Sequence, residues 1–273
     1  MRLLRAHHIT NLVAVVDSFL PRADVSPRGG RPVKLHVNEV IALLVFSSLV
    51  APQRTLSGIY TWAQAHYYRK FCLPAYSSWM RKCHEALPSM WFILDKLLVK
   101  DTELRFMDST MLPVCRLVRA DRHKVAKGFA GFGKNHQGWW YGFKLHAACN
   151  LRGQLAAIHF TPANESDSQQ IPRLVNDATT IAVGDGGYTA SVMSRKMWRE
   201  HRTYILSPPH PMQKKKLLTQ WQLLMLQARP KIECSFDFLK EHLLLVTSFP
   251  RSVHGYAVHY VRVLLSYQLA WGF

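Results

Sequence analysis

Hydrophobic residues recur at helical spacing in the first 100 residues of the chain. Residues 38–50 carry a dense apolar face, and residues 55–68 place aromatic and polar side chains three or four positions apart. The same spacing predicts shorter helices over residues 77–86 and 89–99. Residues 1–100 therefore predict an all-helical region.

After residue 100 the pattern changes to short runs of strand-forming residues between helical segments. Strands are predicted over residues 104–108, 138–150, 155–161, 181–185 and 204–206. Helices are predicted over residues 168–178, 190–201, 214–245 with a break at Pro230, and 253–271. The second and third strands flank a tight turn at residues 152–154, which indicates an antiparallel hairpin. Residues 101–273 thus predict an α/β domain with a mixed sheet.

Composition narrows the class of protein. The 273 residues are 48% hydrophobic, which is enough for a folded core, and their formal net charge is +18. Such an excess of positive charge favours a polyanionic partner, most often a nucleic acid. The longest apolar run is too short and too broken for a membrane span, and the start of the chain does not have the pattern of a signal peptide. The five cysteines are odd in number and widely spaced, which is typical of reduced thiols. We therefore expect a cytoplasmic protein that has no membrane partner.

Acidic residues are scarce, and two of them end predicted strands. Asp108 and Asp185 each follow a short apolar run, at the position where α/β sheets place their functional sites. The alternative for each is an aspartate that caps a turn or a helix. Glu233 lies on a predicted helix with Arg229 four residues before it and Lys240 seven after it, so both cations share its face. Here the alternative is an ordinary amphipathic helix.

Three carboxylates from two strands and a helix suit a site for two metal ions. Mg²⁺ prefers oxygen ligands, and two such ions can activate an attacking oxygen and stabilise a leaving one. The common substrate of such sites is a phosphodiester, which a basic protein is suited to hold. Asp237, one helical turn after Glu233, is the rival for the third acid.

Five motifs in order resemble a DDE transposase of bacterial insertion sequences, and most nearly the insertion sequence 982 family. They read FMDSTMLPVCR, GWWYGFKLHAACNLRGQL, TPANESD, VGDGGY and RPKIECSFDFLK. The resemblance covers most of the chain. Two departures from related groups leave the three acids untouched: Leu226 stands where some have tyrosine, and Gly186 where many have a basic residue.

The resemblance implies an RNase H-like catalytic domain at residues 101–273, preceded by a small helical DNA-binding region at residues 1–100 that recognises the ends of the element. It places the catalytic and metal-binding triad on Asp108, Asp185 and Glu233. It also implies two Mg²⁺ ions, for which Mn²⁺ can substitute. Arg229 and Lys240 match the basic residues that flank the glutamate in many relatives, where they would position phosphate by charge.

Further DNA contacts are predicted on the sheet and on basic segments. Lys144 and His146 lie two residues apart on one strand face, and either contact the DNA backbone or form a polar strand face. Residues 116–134, which include Lys127 and Lys134, predict a mobile basic loop that orders on DNA. Residues 195–202 and 214–216 are two more basic stretches.

These expectations together predict transposition of DNA in the bacterial cytoplasm, at the nucleoid. The partners would be double-stranded DNA, both as terminal inverted repeats and as target, and a second copy of the chain or a larger assembly. Two alternatives stay open at this point. One is a metal-dependent nuclease of the same fold that cuts without joining, and the other is a DNA-binding relic of a mobile element without catalysis.

Overall fold

The computed structural model describes residues 8–22, 34–135, 138–189, 191–209 and 217–270. The chain divides into two compact units. A helical unit comprises Met1–Leu97 and Leu239–Phe273, and a sheet unit comprises Leu98–Phe238. The basic stretch at residues 214–216 lies outside the described residues.

The helical unit is built around two helices that are buried on nearly all sides. Its helices are α1 (His8–Phe19), α2 (Val37–Val50), α3 (Leu56–Tyr67), α4 (Tyr76–Glu85), α5 (Leu87–Leu97) and, at the other end of the sequence, α10 (Val253–Ala270). Helix α10 packs against α2 and α5. Because α2 is apolar all round, it can be stable only in the interior of such a bundle.

The position of α10 corrects the expected domain organisation. Helices α1 to α5 lie within residues 1–100, and the two units divide between Leu97 and Leu98. Residues 239–273, however, were expected in the α/β domain and instead complete the helical unit. The physical reason is the burial of α10, whose apolar side chains are covered by α2 and α5.

The sheet unit holds a mixed sheet. Its strands within the described residues are β1 (Leu104–Pro113), β2 (Gly131–Asn135), β3 (Gly138–Cys149), β4 (Leu155–Pro162), β5 (Ile181–Val183) and β6 (Tyr204–Leu206). The order across the sheet is β2-β3-β1-β5-β6, and β4 continues along the edge of β3 beyond β2. Strands β1, β5 and β6 are parallel, whereas β3 is antiparallel to β1, β2 and β4. This mixed α/β arrangement is compatible with the expected RNase H-like domain.

Helices cover the sheet. Helices α6 (Ile171–Leu174), α7 (Ser191–His201) and α9 (Pro230–Asp237) pack against its strands. Helix α8 (Gln220–Ala228) has no buried residue, and α9 is followed by a π-helical turn at Phe238–His242. On one face, Met107 of β1 packs with Ile171, Leu174 and Met197 in a fully buried cluster. Helix α9 packs against β1 and β3.

The sequence predicted the strands better than the segments between them. The strand that begins at Leu104 continues to Pro113, so Asp108 lies in the middle of β1 and not at its end. The expected basic loop contains a 3-10 helix, Leu117–Arg122, and strand β2. The helix predicted over residues 168–178 is reduced to a 3-10 turn, Asp167–Gln170, and the four residues of α6.

Among the described residues, no helix combines the length and the apolar character that crossing a membrane requires. All five cysteines lie in described segments and are free thiols.

Strand β3 passes so close to β1 that Gly142 has no room for a side chain. Gly142 pairs with Pro113, and a Cβ atom there would lie 2.2 Å from the Leu112 carbonyl oxygen and 2.9 Å from the Pro113 Cα. We expect Gly142→Ala to lower the free energy of unfolding by about 1–3 kcal/mol, because backbone atoms must move. Urea denaturation measures this. Gly186→Ala is the control, since an added Cβ there meets no described atom within 4 Å; equal losses in both variants would contradict the steric explanation.

Candidate active site

The register of the parallel pair places Asp108 and Asp185 at the same level of the sheet. The last paired residues of β1 and β5 are Phe106 and Val183, and Asp108 and Asp185 each follow the last paired residue of their own strand by two positions. Met107 is buried under α6 and α7. Since successive side chains alternate, Asp108 lies on the opposite face, where it contacts the start of α9.

Arg229 joins two of the predicted acids. It lies between α8 and α9, and Pro230 forms the first residue of α9, where its missing N–H is tolerated. The Arg229 Nη2 donates to Glu233 Oε1 one helical turn later, and Nη1 donates to Asp108 Oδ2 at 3.4 Å. The guanidinium therefore lies between the carboxylate of the strand and that of the helix.

Burial makes the Asp108 carboxylate costly to ionise. Its side chain is only 17% exposed, and burial raises its pKa from 3.8 to about 6. The hydrogen bond from the Ser109 N–H, 2.8 Å from Oδ1, opposes this rise, whereas the negative charges of Asp185 and Glu233 add to it. The three predicted acids thus share one electrostatic environment.

Asp185 caps the turn that follows β5. Its Oδ1 accepts the Gly187 N–H at 2.9 Å, at the start of the 3-10 helix Gly186–Tyr188. The turn-capping alternative considered for this residue is therefore observed. It uses one oxygen of a half-exposed carboxylate, so the residue keeps acceptor capacity toward a ligand.

Asp167, the last residue of the motif TPANESD, is a fourth carboxylate of the same region. An added Cβ at Gly187 would lie 3.1 Å from Asp185 Oδ1 and 3.4 Å from Asp167 Oδ2, so the two aspartates flank one glycine. Asp167 also accepts from the Lys144 Nζ at 2.9 Å. Its place in that motif was the only signal for it in the sequence.

Tyr188 was not singled out from the sequence. Its ring is fully buried against Gly184, and its hydroxyl has no hydrogen-bond partner in the described part of the chain. Burial raises the pKa of the phenol, and the charges of Asp167, Asp108 and Asp185 raise it further. The VGDGGY motif therefore places a buried, neutral phenol within electrostatic range of these aspartates.

The two residues of β3 that were predicted to contact DNA, Lys144 and His146, both form hydrogen bonds to other groups of the protein. The Lys144 ammonium donates to Asp167 Oδ1 and to the Glu165 carbonyl, each at 2.9 Å. His146 is fully buried and bonds the Thr161 hydroxyl at 2.8 Å, and this burial lowers its pKa to about 4. The expectation that His146 contacts DNA is wrong for this conformation, because no surface of the ring is exposed.

Lys127 and Lys134, in contrast, are exposed, as a DNA contact requires. Lys134 on β2 is the cross-strand partner of Trp139 on β3, and its Nζ lies 5.5 Å from the centre of that indole ring. Trp139 is itself 56% exposed. Together they form a cationic and aromatic edge on the β2–β3 ribbon, of the kind that suits a nucleic acid.

Lys240 is not placed as expected. The sequence suggested that it follows Glu233 by two turns of one α-helix, but α9 ends at Asp237 and the chain continues as a π-helical turn. Lys240 falls in the helical unit. The rival acid Asp237 is exposed, whereas Glu233 bonds Arg229.

A family model described as "Transposase DDE domain" matches residues 98–253, more than half of the chain. The chain belongs to the transposase DDE domain family. The resemblance to DDE transposases is thereby confirmed, while its assignment to the insertion sequence 982 family stays a prediction. A search of curated proteins finds no match.

The carboxylates of this transposase domain are suitable ligands for a divalent cation, but Arg229 lies between two of them. Carboxylate oxygens are the ligands that Mg²⁺ prefers. Among the described residues, however, no three His, Cys, Asp or Glu side chains lie close enough to hold one ion. The Arg229 guanidinium occupies the position of a cation between Asp108 and Glu233. The chemistry of these residues therefore suits a metal ion, but the Arg229 guanidinium lies between two of the carboxylates that would hold it.

The raised pKa of Asp108 predicts that this acid destabilises the metal-free protein. Between its ordinary pKa of 3.8 and about 6, the folded state binds the proton more tightly than the unfolded chain, so stability falls as pH rises. We expect Asp108→Asn to raise the free energy of unfolding by about 1–3 kcal/mol near neutral pH and by almost nothing near pH 4.

Urea denaturation with EDTA at the two pH values measures this difference. Asp237→Asn is the matched control, because this carboxylate is exposed on the same helix as Glu233. An Asp108→Asn variant that is less stable than the wild type near neutral pH would show that the ion pair with Arg229 outweighs the burial.

Proposed function

We propose that this transposase domain hydrolyses phosphodiester bonds at the ends of an insertion sequence and joins the freed 3′-OH to target DNA. The observation that carries the proposal is the meeting of Asp108, Asp185 and Glu233 in one electrostatic environment, within a chain of the DDE family. The insertion sequence 982 family is the proposed group, and the bacterial cytoplasm and nucleoid are the proposed place of action.

The reaction balances without a high-energy cofactor. In the first step a water oxygen forms a bond to phosphorus, and the bond from phosphorus to the 3′ oxygen of the element breaks. In the second step that 3′ oxygen attacks a phosphorus of the target strand, whose own 3′ oxygen leaves. Each step exchanges one P–O bond for another.

The three acids would hold two Mg²⁺ ions or, in their place, Mn²⁺. When bound, such ions supply Lewis-acid stabilisation of the charge that develops on the phosphate. Among the chain's own groups, Arg229 has the donors to hold a phosphate, since a guanidinium can bond two phosphate oxygens at once. It lies beside both Asp108 and Glu233, where a phosphate positioned by charge would meet the acids. Transposition joins two ends, so the proposed assembly on DNA is a dimer or larger.

Strand transfer tests the proposal directly. A labelled duplex of the element's terminal repeat, taken from the DNA that flanks the coding region, is incubated with supercoiled target plasmid and Mg²⁺ or Mn²⁺. We expect joined product with the wild type and none with Asp108→Ala or Glu233→Gln. Asp237→Asn is the matched control for the third acid and should retain activity, since its carboxylate is exposed.

The other possible results of this assay favour the alternatives to a transposase, or a different third acid. Cleavage without joining would favour the nuclease. DNA binding with no chemistry in either metal would favour the non-catalytic relic. Loss of product in Asp237→Asn with activity kept in Glu233→Gln would move the third acid to Asp237.

The exposed lysines predict a salt-dependent contact with DNA. Binding of a labelled duplex is measured by fluorescence anisotropy at several salt concentrations. Because each phosphate contact adds about one to the slope of log K against log salt, Lys127→Gln with Lys134→Gln should reduce the slope by about two and weaken binding several-fold. Lys144→Gln should leave the slope unchanged, because its ammonium is held by Asp167. A slope altered only in Lys144→Gln would reverse the assignment.

A further inference from the structure

A cationic pocket lies within the helical unit. Its volume is about 320 Å³, and it opens between the start of α3, helix α4 and the start of α10. Arg54, Arg251 and Arg262 line it together with His84 and His259. Among the described residues that line it there is no Asp or Glu.

Two helices begin at the wall of this pocket. At the start of α3, Thr55 accepts the Gly58 N–H at 3.0 Å. At the start of α10, Ser252 accepts the Gly255 N–H, also at 3.0 Å. Each cap leaves other N–H groups of the first turn free of helical partners, and each helix start carries about half a positive charge. Both ends therefore add to the charge of the arginines.

Arg262 is a buried cation with no described counter-charge. It is 1% exposed, and no carboxylate oxygen of the described residues lies within 4.0 Å of its guanidinium. Its Nη1 donates to the Ser48 hydroxyl and its Nη2 to the Gln53 carbonyl, each at 2.6 Å. Its Nε has no partner among the described atoms. A buried charge without a partner is costly, and this desolvation lowers the pKa of Arg262 to about 10.

A purely structural role accounts for only part of this arrangement. The acceptors Ser48 and Gln53 hold the guanidinium in place near the end of α2, but both are neutral. His259, whose Nδ1 accepts a hydrogen bond from Arg262 Nη2 at 3.1 Å, is neutral as well, because its burial and the charge of Arg262 lower its pKa to about 3. Structural support of α2 also does not explain why Arg54 and Arg251 line the same pocket.

We propose that this pocket binds a phosphate group, with Arg262 at its base and Arg54 and Arg251 at its mouth. A tetrahedral oxyanion offers acceptors to the guanidinium groups and to the free N–H groups of both helix starts. The phosphate comes either from a DNA backbone or from a free phosphate compound. The proposal concerns the helical unit alone and does not depend on the catalytic chemistry proposed above.

Calorimetric titration of the full chain with inorganic phosphate, at constant ionic strength in chloride, tests the pocket. The variant is Arg54→Gln with Arg251→Gln; both side chains are exposed, so the fold should persist. The matched control is Arg69→Gln with Arg152→Gln, which removes two exposed arginines that do not line the pocket. We expect the pocket pair to raise the dissociation constant for phosphate at least about tenfold and the control pair to leave it unchanged. No binding by the wild type, or equal loss in both pairs, would overturn the proposal.

Anisotropy with a labelled duplex separates the two sources of phosphate. If the pocket pair weakens DNA binding more than the control pair, and inorganic phosphate competes with the duplex, the ligand is a backbone phosphate. If both pairs bind DNA equally while only the pocket pair loses phosphate, the ligand is a free phosphate compound. Either result supports the pocket. Strand-transfer activity plays no part in this readout, so failure of the proposed function leaves the result interpretable.

Discussion

The short parallel pairing of β1 with β5 determines where the acids of this protein meet. Only Leu104 to Phe106 pair with β5 before the two strands separate, and both aspartates follow directly at that level. Concentrating carboxylates on a buried strand is unfavourable, as the raised pKa of Asp108 shows. Such a cost is expected where selection acts on chemistry and not on stability alone.

Arg229 offsets part of this cost without removing it. The proline that follows Arg229 starts α9, and one helical turn brings Glu233 beside the same guanidinium that reaches Asp108. Arg229 thus balances two negative charges with one positive charge. A divalent cation would compete with it for the same carboxylates, so the arrangement links the stability of the metal-free protein to the chemistry proposed for the metal-bound one.

The sequence predicted the strands and the three acids because both follow from local patterns. Apolar runs of strand-forming residues define β3, β4, β5 and β6, and each aspartate follows such a run. The continuation of β1 beyond Asp108 was missed because Ser109 and Thr110 interrupt the apolar run, whereas pairing with β3 holds these residues in the sheet. Strand β2 was missed for a similar reason: its glycines have no strand preference of their own, and pairing with β3 holds them in the sheet.

Residues whose roles depend on distant neighbours could not be assigned from one sequence. Two-residue spacing correctly places Lys144 and His146 on one strand face, but only the fold shows that Asp167 binds the lysine and that the imidazole is buried. Helix α10 is apolar enough to cover either a sheet or a helical bundle, and its pattern does not choose between them. Long-range packing decides such cases.

The positive charges of the chain differ in what they can bind. In the proposed function, exposed lysines such as Lys127 and Lys134 would attract DNA through release of its counterions, an effect that depends strongly on salt and little on geometry. Arg262 cannot act in this way, because a guanidinium buried among neutral acceptors interacts only with a group that enters the pocket. Binding there requires direct hydrogen bonds in fixed directions. Net charge alone would not separate these roles; burial does, and it predicts that phosphate binding in the pocket is less sensitive to salt than binding of DNA to the exposed lysines.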